Sequence, residues 1–371
     1  MNLMKILVIE ACGLHLGYLG CYGNDWVATP NLDRLAADAV VFDSHFVDQP
    51  ELRAEIPWEC RSVGTGCYAL PGMEASPAEM KPRVVPVKSL TSFAKESLRA
   101  LKKNETWLWL EGPSLLPPWE VEEELLDSYF DEGDVEDGLE SWPDPPLDLV
   151  KLEDAELLQL QNTYAAVVTF FDAQLGVVLD RLGTTGALDD TLLCVTARSG
   201  LPLGEHGMIG MPRPGLHDEL VHVPLILRLP HAADAGVRIS ALTQPVDLLP
   251  TFLASLGQQA PAVHGADLGP LIRGEIDAVR PFAVAGLRVA GHEQRLLRTR
   301  GAALHVPIVQ SGEDATKAPR LFLKPEDRWE VNDLYHQQIE RADAMQQALT
   351  AFAEAIRQPG PLAYPPIDAV S

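Results

Sequence analysis

Apolar positions along this chain fall into short continuous runs and one long stretch at helical spacing. Ile6–Ile9 is apolar and rich in β-branched residues over four positions, which predicts a short strand buried on both faces. Leu32 and Leu35 share one face of a helix expected from Asn31 to Ala39, and Val40, Val41 and Phe42 follow as a second strand. Residues 106–110 predict another strand, ending at Glu111, Gly112 and Pro113. Tyr164, Val167, Val168, Phe171, Leu175, Val178, Leu179 and Leu182 recur at steps of three and four and predict a long amphipathic helix that ends at Gly183. Residues 191–196 and 223–227 read as further buried strands, and Asp247 as the N-cap of a helix opening at Leu248. Strands alternating with helices predict an α/β fold, with a mostly parallel central sheet and helices on both of its faces.

Beyond Arg280 the texture changes. Short strand-like pieces at 282–285, 295–299, 302–306 and 321–323 precede a helix expected over 332–356. The expected organisation is a large α/β domain over residues 1–279 and a small α+β subdomain over 280–371 packed on it. Residues 120–148 contain no Lys or Arg and mix acids with Gly and Pro, so an acidic, solvated insertion is expected at about 120–150.

Composition narrows the partners. The 371 residues carry a formal net charge of −24, a field that repels nucleic acid and anionic membrane surfaces, so neither is expected as a partner. Five cysteines at 12, 21, 60, 67 and 194 match neither a disulfide framework nor a zinc-site spacing and are expected as reduced thiols. The apolar run before Glu10 is too short for a signal-peptide core, and no segment approaches the roughly 20 apolar residues that span a bilayer. The expected location is the cytoplasm.

Residues 19–23, Leu-Gly-Cys-Tyr-Gly, and 29–36, Thr-Pro-Asn-Leu-Asp-Arg-Leu-Ala, follow the first strand. Further on come Tyr164, Asp172 and Gly176 on the long helix, Gly-Glu-His-Gly at 204–207, the run from Glu219 to Ile226, residues 246–251, and Leu-Ile-Arg-Gly at 271–274. In this order and spacing the chain resembles the sulfatases of the alkaline phosphatase superfamily. The resemblance implies their α/β fold. It also implies hydrolysis of sulfate esters with a divalent cation, usually calcium, held by hard oxygen ligands. A formylglycine nucleophile made from a Cys or Ser in a Cys/Ser-x-Pro-x-Arg segment, and Lys and His side chains that stabilise charge and protonate the leaving group, complete the implied chemistry.

Measured against that pattern, the framework is present and the chemistry is not. Cys12 and Gly13 stand where paired aspartates belong, and a thiol suits soft metals rather than calcium. Glu10, two residues upstream, either replaces one ligand or merely ends its strand. Counting back from Thr65-Gly66 puts Ile56 or Pro57 at the nucleophile position, and no cysteine has Pro two residues later. Arg61 aligns with the motif arginine, with Cys60 beside it as either an acidified or a buried thiol. Ser114 replaces a histidine, Arg198-Ser199 replaces a second metal-ligand pair, and Arg213 replaces a lysine. His206, with His217 close in sequence, keeps its place in the pattern and is a structural residue or a remnant of the site.

Three functional readings follow. The first is a catalytically inactive member of the family with no metal cofactor. Its sharper form is a pocket in which Arg61, Arg198 and Arg213 converge and hold a small anion by bidentate hydrogen bonds. The alternative is a divergent sulfuric or phosphoric ester hydrolase with a rearranged site drawn from Glu10, Cys12, His15, His206 and His217.

Overall fold

The computed structural model describes residues 4–50, 82–102, 105–130, 140–147, 151–210, 215–260, 263–289, 292–308, 318–357 and 361–367. Two compact units emerge. The first comprises Met1–Asp43, Pro82–Pro212 and Val223–Arg238, and the second Ser44–Lys81, Arg213–His222 and Ile239–Ser371.

The first unit is built on a sheet ordered β3-β4-β1-β5-β6-β2-β7. Its strands are β1 (Lys5–Cys12), β2 (Val40–Phe42), β3 (Arg83–Pro86), β4 (Trp107–Ser114), β5 (Thr191–Ala197), β6 (Leu225–Arg228) and β7 (Arg238–Ile239). Parallel pairing runs through β3, β4, β1 and β5, whereas β6 runs against both β5 and β2. β1 therefore sits between β4 and β5. The carboxyl ends of these three strands lie side by side, the usual place for a site in an open α/β sheet.

Helices α1 (Pro30–Ala37), α2 (Phe93–Leu101) and α3 (Asp154–Thr184) belong to this unit. α3 starts ten residues before the periodic apolar stripe, because Glu153 and Glu156 form a reciprocal capping box at its amino end. It also runs past Gly183. The left-handed residue that follows its end is Gly186, at φ +69°, so Gly183 is a helix residue rather than the terminator. The threonine and proline at 29–30 are joined to α3: Asp172 accepts from the Asn31 and Leu32 amides at 3.0 and 2.7 Å and so supplies the cap that Thr29 does not. Asn31 in turn lies against Gly176, where a Cβ would come within 2.6 Å of its side chain. These contacts account for the helix residues that accompany the opening motif.

The acidic stretch is packed where it is described. The Trp119 amide donates to Pro143 O, the Trp142 amide to Thr163 Oγ1, and Tyr129 lies 2.5 Å from Thr169 Oγ1 and accepts from the Ala28 amide. Aromatic residues anchor what charge alone would leave in solvent. Residues 131–139 and 148–150 lie outside the described residues.

The second unit carries an antiparallel sheet ordered β11-β10-β9-β8, formed by β8 (Ala283–Val289), β9 (His292–Arg298), β10 (Ala302–Ile308) and β11 (Arg320–Leu323). Helices α4 (Leu248–Ser255) and α5 (Ile339–Ala355) belong to it. Phe282, Leu297, Leu304 and Leu321 meet Met345, Leu349 and Phe352 of α5 in one core. The units do not follow a 279/280 boundary. Gln244 donates to Val284 O, and Arg280 pairs with Asp247 and Gln244, so the segment before 280 is tied to the C-terminal sheet. Asp247 stands at the N-cap of α4, but its carboxylate takes Arg280 and the Gln244 and Ala266 amides instead of capping. α5 begins at Ile339, not 332, because Asp327 and Asp333 hold the amides of Asn332 and Tyr335 in turns.

Candidate functional site

Glu10 and Glu111 end the apolar parts of two adjacent parallel strands and stand opposite each other in register. Two carboxylates side by side, one of them buried, repel unless a cation lies between them. That cation is Arg198, the first residue after β5. Its amide donates to Ala11 O at 2.9 Å, which fixes its backbone beside β1. Its Nη1 lies 3.2 Å from Glu111 Oε1 and its Nε 3.9 Å from Glu10 Oε2. Trp109, fully buried on β4, donates its indole N–H to the same Glu10 oxygen at 3.2 Å. Glu10, itself only 8 % exposed, thus has a hydrogen bond and an ion pair among the described residues. Neither Trp109 nor Glu111 stands out in the sequence, although each of two buried strands is followed directly by a glutamate.

Next to this group, the turn after β1 is fixed by its backbone. The Gly13 and Leu14 amides both donate to Ser199 O, at 3.0 and 3.1 Å, and Gly13 N–H also reaches Ser199 Oγ at 3.3 Å. Cys12 Sγ lies 3.7 Å from Ser199 Oγ. Tyr164 of α3 donates its hydroxyl to Gly13 O and accepts from the His15 amide, so a long-helix residue holds the turn. Burial pushes the Tyr164 phenol far above its ordinary range, and it serves as a fixed hydrogen-bonding group. Gly13 has φ +76°, and a Cβ there would sit 2.7 Å from Leu116 Cδ2. A side chain has no room at this position.

His15 is committed in both ring positions. Nδ1 accepts from the Gly17 amide at 2.9 Å and Nε2 faces Glu205 Oε1 at 3.3 Å. Burial raises the Glu205 carboxyl, but the hydrogen bond and charge of His15 outweigh it and leave the group below its ordinary value. His206, the next residue, sits in a tight turn at φ +55° between Gly204 and Gly207. Ser114 ends β4 opposite Cys12, exposed, and accepts from the Leu116 amide.

Cys60, Arg61 and Arg213 lie outside the described residues. His217 belongs to the second unit, where Nδ1 lies 2.5 Å from Glu330 Oε2 and Arg320 approaches Nε2 at 3.3 Å. His305 joins at 3.3 Å from the same Glu330 oxygen, and the Lys324 ammonium sits 3.0 Å from the other. These two histidines and the glutamate are close enough for one ion. Lys324 and Arg320 already supply positive charge there, so the group is a buried ion-pair network rather than a metal centre.

A hard divalent cation does not fit the strand-end site either. It needs six to eight oxygen ligands, mostly carboxylates and carbonyls. Cys12 offers sulfur, Gly13 offers no side chain, and the two carboxylates already face a guanidinium that keeps its proton at any physiological pH. The same pairing counts against Arg198 as an anion clamp, because its charge is met from two sides. No helix among the described residues is long and apolar enough to cross a membrane.

Residues 100–258 match the family model for sulfatases. An N-acetylglucosamine-6-O-sulfatase of Bacteroides thetaiotaomicron is 36% identical over 118 residues, 32% of this chain and 21% of that protein. The multifunctional alkaline phosphatase superfamily protein PehA of Trinickia caryophylli is 32% identical over 123 residues, 33% of this chain and 24% of its own length. The matched stretches thus span about a fifth to a quarter of these relatives. The fold agrees over far more of the chain. A phosphonate monoester hydrolase of Agrobacterium radiobacter superposes with TM-score 0.70 at 20% identity, covering 98% of this chain and 100% of that one. A 2-O glycosaminoglycan sulfatase superposes with TM-score 0.67 at 15% identity, covering 97% and 95%.

Proposed function

We propose that this chain, which matches the sulfatase family model over residues 100–258, keeps that family's fold without its metal-dependent ester hydrolysis, and acts through binding rather than turnover. The observation that carries this reading is Arg198, in ion-pair contact with Glu10 and Glu111 at the carboxyl ends of three central strands. Hydrolysis of a sulfate or phosphate ester by the family route needs positive charge that polarises the substrate and is free to meet it. Here that charge is met by the protein's own carboxylates. Absence of a Cys/Ser-x-Pro-x-Arg segment in the sequence supports the same reading.

The anion-binding form of the reading loses Arg198 as a donor and rests on Arg61 and Arg213 alone. The scattered cysteines, with neither a disulfide-framework nor a zinc-site spacing, suit the reducing interior of a cell, and a cytoplasmic location stays part of the proposal.

The alternative, a divergent ester hydrolase, draws on the pair Cys12 and Ser199. A nucleophile needs a base, and the ring of His15, the histidine nearest in sequence, is engaged on both nitrogens. The test is a turnover assay on the purified chain. Nitrophenyl sulfate, phosphate and phosphonate monoesters are offered with calcium, manganese or zinc, and with chelator. No turnover above the uncatalysed rate is expected. Turnover that chelator removes, or that Cys12→Ala removes while folding is retained, would overturn the reading.

A further inference from the structure

The strand-end charges have a geometry that goes beyond a lost active site. Glu111 is on β4, Glu10 on β1, and Arg198 follows β5, so one guanidinium spans three adjacent strands. Glu10 and Glu111 share a register position, and their carboxylates would repel with nothing between them. Trp109 supplies Glu10 with one neutral donor, which eases its burial without supplying charge. Among the described residues, Arg198 is in ion-pair contact with both of these acids.

Building on the proposed absence of a metal, we infer that Arg198 is an internal counter-cation that replaces the divalent ion and fastens β4 and β1 to β5. A planar guanidinium suits this role, because its donors lie in a fixed fork and it stays protonated when partly buried. Ser199, immediately after it, accepts both amides of the turn that follows β1, so the same two residues set the charge and the backbone of the site. The chain thereby becomes independent of metal ions for the integrity of its sheet. The site also becomes closed to anions, with one positive charge set against two negative.

The experiment is thermal unfolding of the full chain in chelator and in millimolar calcium or manganese. The wild-type melting temperature is expected to be the same in all three. Arg198→Met takes this guanidinium away from two facing carboxylates and should lower it by roughly 5 °C or more in every buffer. Arg198→Asp puts a third carboxylate at the strand ends. It should melt low in chelator and recover saturably with calcium or manganese, gaining the metal dependence that the wild type lacks. If Arg198→Asp does not fold, the Arg198→Met/Glu10→Gln/Glu111→Gln variant decides: removing both signs of charge should restore most of the loss seen in Arg198→Met. Arg198→Met melting with the wild type, or the triple variant melting no higher than Arg198→Met, overturns the inference. So does a wild-type melting temperature that rises with calcium and no longer does so in Glu10→Gln. Metal-free hydrolysis by the wild type would instead overturn the proposed function, while the melting series would still report on Arg198.

Discussion

Nδ1 of His217 lies 2.5 Å from Oε2 of Glu330, with 2 % and 1 % of the two side chains exposed. Glu330 also takes the Lys324 ammonium at 3.0 Å and faces His305 Nε2 at 3.3 Å. Its backbone is in the left-handed region, at φ +52°, so the cluster holds this residue in a conformation that side chains disfavour. Glu330→Gln should destabilise the chain by about 3 kcal/mol, the usual consequence of removing one member of a buried ion pair. Denaturant titration at neutral pH measures it.

Burial alone would raise the Glu330 carboxyl, but the facing imidazole of His305 and the hydrogen bond with His217 hold it well below the usual carboxylate range. A depressed carboxyl stabilises the fold above its unfolded pKa of roughly 4.3 and loses that contribution as pH falls toward its folded value. The wild type should therefore lose stability with acid below about pH 4 more steeply than Glu330→Gln. Parallel acid-unfolding curves for the two would refute this.

Asp48 gives the opposite sign. Burial drives its carboxyl up to about 7, against its own and the Gln49 amide and the charge of Arg280. A raised carboxyl contributes stability that is complete below the unfolded pKa of about 3.9 and is lost as pH rises through the folded value. Asp48→Asn removes the penalty of burying the charge. It should stabilise the chain by about 1–2 kcal/mol more at pH 8 than at pH 4. Equal effects at the two pH values would show that the carboxyl is not the cause.

At Gly13 the conformation and the space both exclude a side chain. Gly13→Ala should cost about 2 kcal/mol or more, from the positive φ and the approach to Leu116. Gly13→Asp should cost at least as much and bring no calcium binding by calorimetry. Restoring an aspartate at this position does not restore the site.

Trp109→Phe keeps the buried ring and removes the donor to Glu10. A hydrogen bond to a buried charge contributes about 1.5–3 kcal/mol, and Arg198 continues to face the carboxylate, so a loss at the lower end is expected. Combined with Arg198→Met, the loss should exceed the sum of the two single variants, which a double-mutant cycle reads directly.

The strands and the long helix were legible because each has a strong local pattern: Ile6–Ile9 and 191–196 as apolar runs, Tyr164 to Leu182 as a 3.6-residue stripe. Their ends were not. The apolar stripe places the end of α3 at Gly183 whereas Gly186 carries the positive φ, since two glycines three residues apart look alike until the backbone is known. Asp247 reached its N-cap position, yet its carboxylate is drawn off by Arg280, a partner 33 residues away that no local rule supplies. Charge alone predicts a solvated acidic stretch, whereas Trp and Tyr anchors pack its described residues. At the site, the sequence shows that Cys12, Gly13 and Ser199 carry no carboxylate. It did not expose the pairing of Arg198 with Glu111, because these residues meet only through the strand order β4-β1-β5.

That strand order also sets a timetable for synthesis. β1 emerges first, but its neighbours arrive later: Trp109 reaches Glu10 across 99 positions and Ser199 reaches Gly13 across 186. Contacts so distant along the chain close late and slowly. Until the ribosome has delivered Arg198, the Glu10 carboxylate keeps its water and the centre of the sheet stays open. A nascent chain that ends before Arg198 therefore carries an apolar strand not yet covered on both sides, and that is the stage at which this protein most needs a holding chaperone.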